Sequence, residues 1–128
     1  MRKKFVIAAI VVLVLAALVA GTRYLMGEEK PVEVTLQGTV VDLHCYLEGV
    51  RVAEHTACAN SCIKRGLPAG FLADDGTLYV LLEEKPVSVK DRVEGLADVP
   101  VKVTGKTVTR NGVKGLQITS IEKLKTSG

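Results

Sequence analysis

Seventeen consecutive residues, Phe5 to Gly21, carry no charged or hydrogen-bonding side chain. A segment apolar on every face has no polar side to turn to water, so it belongs in a bilayer or in a fully enclosed core. Its length is near the shortest span of about 17 residues, and exceeds the roughly 7–15 of a cleaved signal core. Arg2, Lys3 and Lys4 precede the run, Arg23 follows it, and Tyr24-Leu25-Met26 can extend it at the interface. The only small-residue cleavage candidates, Leu18-Val19-Ala20 and Val19-Ala20-Gly21, are weak, which favours a retained anchor over a cleaved signal. No cysteine directly follows, so a lipoprotein signal is excluded. Residues 1–26 are read as a signal anchor or transmembrane helix. The basic N-terminus then stays in the cytoplasm and the remainder lies outside, in the periplasm of a bacterial inner membrane.

Residues 27–31 form a polar linker ending at Pro31, which discourages continuation of the helix. Residues 32–125 have the length of one small domain. From Glu28 onward 13 Lys and Arg face 14 Asp and Glu, a net charge of −1. With no basic footprint, and only Tyr46, Phe71 and Tyr79 as aromatics, nucleic acid is not expected as a partner.

The domain reads as mainly β. Val32, Val34 and Leu36 alternate with polar residues, and a break in phase near Gly38 to Val41 predicts a bulge or bend. Beyond it, the alternation carries the strand through Cys45. Val41, Leu43 and Cys45 then share the inner face, and Asp42 and His44 the outer. Residues 52–65 read as a helix stopped by Gly66 and Pro68. Asp75-Gly76 and Asn111-Gly112 mark hairpins, joining strands over 69–82 and 101–121. Residues 87–99 are read as holding a short helix. Five strands with a helix before the fourth predict an OB-like small barrel, with a β-sandwich fragment as the alternative. The helix 52–65 is then inserted between the first two strands, where such barrels commonly bind ligands.

All three cysteines and both histidines fall between His44 and Cys62. On a helix, His55, Cys58 and Cys62 lie at i, i+3 and i+7, within about 60° of arc. Cys45 from the strand would complete a tetrahedral set of three thiolates and an imidazole, suited to Zn, Cu(I) or an Fe–S cluster. His44 is a reserve ligand, and Asp42 could orient a histidine from outside the ligand set. Arg51, Lys64 or Arg65 could offset the surplus negative charge. Haem, held through a His or Cys axial ligand, is a less favoured cofactor, and covalent c-type attachment is excluded because C-x-x-C-H is absent.

The expected function is therefore a membrane-anchored, extracytoplasmic metal-binding protein, in metal handling or as an accessory part of a membrane redox complex. Two alternatives stay open: a non-catalytic interaction module stapled by a disulfide, and a thiol/disulfide redox protein. A bridge from Cys45 to Cys58 or Cys62 is easier than one between Cys58 and Cys62, whose one-turn spacing would distort the helix. The chain carries no G-x-S-x-G, no H-E-x-x-H and no glycine-rich phosphate loop, which weighs against an enzyme.

In the run Val40 to Leu47 (VVDLHCYL), the H-x-x-C-A-x-x-C of His55 to Cys62, and Gly66 to Leu82 (GLPAGFLADDGTLYVLL), the chain resembles a group of small bacterial membrane-anchored proteins. That resemblance covers about residues 36–124 and implies no activity. In layout alone, the chain is similar to the periplasmic haem chaperone of cytochrome c maturation, an anchored OB-fold protein. The haem-attachment histidine of that family sits in a C-terminal His-x-x-x-Tyr context. The last strand and tail here hold neither residue, so only the architecture carries over.

Overall fold

The computed structural model describes residues 1–25 and 30–125. The sequence expectations for Met26 and for the linker residues Gly27 to Glu29 lie outside the described residues. The elements are α1 (Arg2–Leu25), β1 (Val32–Asp42), α2 (Leu43–Leu47), α3 (Thr56–Lys64), β2 (Ala69–Ala73), β3 (Leu78–Leu82), α4 (Val89–Val93), β4 (Pro100–Arg110) and β5 (Val113–Lys123).

Helix α1 contains a 20-residue stretch, Arg2–Gly21, with mean hydropathy 2.7 and none of it buried. At 1.5 Å per residue this is about 30 Å, the thickness of the hydrocarbon layer. Length and composition thus suffice for a span, conditions that an N-terminal signal sequence also meets.

The five strands close into a barrel in the order β1-β2-β3-β5-β4, with β4 returning to β1. The pairings are antiparallel except β3 with β5, which run parallel. This is the OB-like arrangement expected from the sequence. Strand β1 closes it by serving two partners: Val32 to Thr39 pair with β4, and Gly38 to Asp42 pair with β2. The exchange takes place at Gly38. A Cβ there would run into the Leu72 carbonyl oxygen and come within 2.8 Å of the Ala73 Cα, so only glycine fits.

The core fills the barrel with alternate residues of the strands: Val40, Phe71, Val101, Val103, Leu116 and Ile118, all 0–1% exposed. Helix α3 adds Ala59 and Ile63, which lie one turn apart on one face, and α4 adds Val93. The two helices cover parts of the core that the strands leave open.

Two boundaries differ from the sequence reading. Strand β1 ends at Asp42 rather than running through Cys45. The Asp42 carboxylate accepts the His44 backbone N–H at 2.9 Å and caps α2, so Cys45 sits on a helical turn. The strand parity that placed Asp42 and His44 together outside therefore does not apply: Asp42 is 2% exposed. The second helix begins at Thr56, not Val52. Residues 52–54 form a turn with Ala53 at φ 69°, and His55 is the residue before the helix, at φ −136°. At its far end, α3 stops as expected. Gly66, at φ +94°, donates to the Ile63 carbonyl and Leu67 donates to the Cys62 carbonyl, the hydrogen-bond pair of a glycine-stopped helix.

Candidate functional site

Two side-chain bonds lock α3 against the loop that precedes β4. The Thr56 hydroxyl donates to Asp98 Oδ2 at 3.0 Å, and Asn60 Oδ1 accepts the Ala97 backbone N–H at 3.1 Å. Asp98 in turn donates its own backbone N–H to the Val40 carbonyl at 2.9 Å. The loop thereby fastens the cysteine-bearing helix to the last turn of β1, next to Asp42.

This docking collects the three cysteines. Cys62 is buried, Cys45 half-buried and Cys58 exposed, and all three are free thiols. Cys58 and Cys62 lie one turn apart on α3, and Cys45 comes from α2. Their mutual influence shows in the electrostatics. Burial, then the Asp42 carboxylate, then Cys58 and Cys62 push the Cys45 thiol up to about 11 from its ordinary 9.0. At Cys62 the Arg65 guanidinium pulls the other way, donating to Sγ at 3.4 Å. Burial, Asp42 and Cys58 outweigh it, so the Cys62 pKa is still raised.

Asp42 lies at the centre of the group. Its Oδ1 is engaged in capping α2, while its buried Oδ2 has no hydrogen-bond partner. Both thiols feel the carboxylate through its charge or as a hydrogen-bond acceptor, which raises them, although Oδ2 itself is left without a well-aligned donor. A buried acceptor left unmatched is costly, and cations or S–H donors are what would satisfy it. Arg65 was one of three cations the sequence offered as a charge partner; the fold selects it and places Lys64 against Glu94 at 3.5 Å instead.

The histidines are not gathered with the sulfurs in the way the helical spacing suggested. His55 lies ahead of α3, is exposed, and makes no capping hydrogen bond. It borders a cleft of about 20 Å³, one water in size, together with Asp42, Cys45, Arg51 and Asp98. His44 projects from α2 toward Glu48, 3.6 Å away, with a side chain 60% exposed. A wider cleft of about 420 Å³ opens between the end of α3 and α4, lined by Ile63, Leu67, Leu81 and Val89 with Glu83 and Lys90, and it holds neither cysteine nor histidine.

Among the described residues, no three Cys, His, Asp or Glu side chains form a ready-made metal cage. The arrangement is three thiols near one buried carboxylate, with Cys45 and Asp42 lining a small cleft and one guanidinium on the buried Cys62 sulfur. Asn60, Thr56 and Asp98, which hold the group in place, carried no sequence signal of their own beyond polarity on a helix and in a loop. Comparison of the chain with protein-family models, with curated proteins and with solved structures finds no match.

Proposed function

We propose that the protein is a membrane-anchored, extracytoplasmic metal-binding protein whose ligands are Cys45, Cys58 and Cys62. One observation carries the reading: thiols from two helices surround a buried Asp42 whose Oδ2 has no partner. Asp42 then replaces His55 as the oxygen or outer member of the ligand set, and His44 is no longer a ligand. Sulfur-rich surroundings suit a soft cation, Cu(I) or Zn²⁺, above hard ones. On binding, the thiols give up their protons to the medium. Arg65 would offset part of the resulting negative charge.

The rival thiol/disulfide oxidoreductase needs a thiol with a depressed pKa. The two shifts at this site, on Cys45 and Cys62, are both upward, which weighs against that rival; a metal would have to displace the same protons to bind. The basic N-terminus supports the orientation with the barrel outside the cytoplasm. In that setting the protein would handle a metal, or serve a membrane redox complex.

Metal analysis of the chain purified anaerobically, combined with thiol titration, tests the proposal. Bound metal with all thiols protected is expected. Absence of metal together with a single titratable thiol would sink it, in favour of a structural disulfide.

A further inference from the structure

The cleft of about 420 Å³ between the end of α3 and α4 falls within the volume of small-molecule sites, about 300–1,000 Å³. Its floor is the core itself: Ile63, Ala69 and Leu81 are buried, and half-buried Leu67 and Val89 rise on either side. The walls are held by bonds that owe nothing to a ligand. On one side the Leu67 N–H donates to the Cys62 carbonyl and closes α3. On the other, Ser88 Oγ accepts the Asp91 N–H to start α4, and the Arg92 guanidinium donates to the Thr119 and Glu84 carbonyls. Gln117 Nε2 fixes the strand end by donating to the Glu83 carbonyl. The rim carries one charge of each sign. Glu83 and Lys90 both border the cleft, both are exposed, and neither takes part in an ion pair among the described residues.

We propose that this cleft binds a short apolar peptide with both termini free, its ammonium at Glu83, its carboxylate at Lys90 and its side chains on the floor. Charge complementarity selects the ligand class. A purely cationic ligand is repelled by Lys90 and a purely anionic one by Glu83. An uncharged one matches neither. Opposite charges on one apolar body match both charges and the floor together. The volume, near the lower end of the range for such sites, sets the size at about a dipeptide. The site is independent of the thiols, since neither cysteine nor histidine borders it.

The test titrates the full chain, in detergent micelles, with leucyl-leucine and follows the backbone amides by NMR. Saturable shifts are expected at Leu67, Glu83 and Lys90, with the Asn111-Gly112 turn unmoved. N-acetyl-leucyl-leucine lacks the ammonium and leucyl-leucine amide lacks the carboxylate. Each should bind about two- to fivefold more weakly than the free dipeptide, as for ion pairs at an exposed rim. Glu83→Gln should weaken leucyl-leucine by the same factor and leave the N-acetylated form as it was. Lys90→Gln should do so for leucyl-leucine and spare the amide. Both residues are exposed, so the thermal midpoint should stay unchanged in either variant. Absence of saturable shifts at the cleft in the unsubstituted chain would overturn the proposal without recourse to any variant. Blocked dipeptides that bind as tightly as the free one, or variants that weaken free and blocked forms alike, would overturn it too. None of these results touches the metal reading, which is decided at the thiols.

Discussion

Replacing Asn60 by alanine should loosen the cysteine site without touching a cysteine. Asn60 Oδ1 accepts the backbone N–H of Ala97, a residue 0% exposed. Removing that acceptor leaves a buried N–H unpaired, at a cost of about 1–3 kcal/mol. The second bond, from Asn60 Nδ2 to the Thr56 carbonyl at 2.9 Å, is local to the helix and adds little. Alanine's better helix propensity returns up to about 0.7 kcal/mol. The net loss is about 1–2 kcal/mol, which multiplies the population of opened states roughly 5–30-fold. Cys62 reports the opening, since it is buried only while α3 is docked. Under conditions where reclosing outpaces labelling, its alkylation rate should rise by that factor. Asn60→Asp retains an oxygen for Ala97 and should fall between the two. A Cys62 labelling rate equal in Asn60→Ala and the unsubstituted chain would refute the reasoning, because the Ala97 N–H would then not be what fastens the helix.

Other perturbations test separate parts of the structure. The Cys45 pKa, raised from 9.0 to about 11, means that the folded chain holds this proton more tightly than the unfolded one. The resulting stability is fully present below about pH 9 and is lost as pH rises through about 11; denaturation midpoints measured across that window should fall, and a flat profile would contradict the shift. Asp42→Asn keeps an oxygen to cap α2 but removes the charge that raises Cys45 and Cys62, so the alkylation midpoint of Cys45 should move below about 11. An unmoved midpoint would assign the whole shift to burial. Gly38→Ala forces a Cβ into the Leu72 carbonyl and the Ala73 backbone; it should cost at least the roughly 1–3 kcal/mol of ordinary overpacking, seen as a lowered thermal midpoint of the barrel.

The barrel was legible because its signals are local. Asn111 and Gly112 both take positive φ, 50° and 81°, as their order in a two-residue hairpin turn requires, and alternation marks the strands on either side. The site was legible in composition and not in geometry. Leu43-His44-Cys45-Tyr46-Leu47 alternates well enough to pass for strand, yet Asp42 turns it into helix by capping, a preference for Asp that the strand pattern concealed. Nothing in Val52-Ala53-Glu54 announces a left-handed alanine. The helix start three residues on is tied instead to Asp98, 42 residues away in the chain, through Thr56. The misplaced helix start is what put His55 among the ligands. The helical spacing of Cys58 and Cys62 survives because both lie inside α3.

Closure of the barrel bears on how a partner can meet this site. Every strand has two neighbours, so no sheet edge is left to accept a partner's strand. Recognition has to go through the helices and loops. Strand β1 sorts these by position. It begins at Val32 and delivers the chain to Asp42 and α2 over a strand of 11 residues. At about 3.3 Å per residue, that carries the backbone some 33 Å along the strand. The strand that begins the domain therefore ends at the thiols, and its two ends are kept apart by the pairing with β4 and β2.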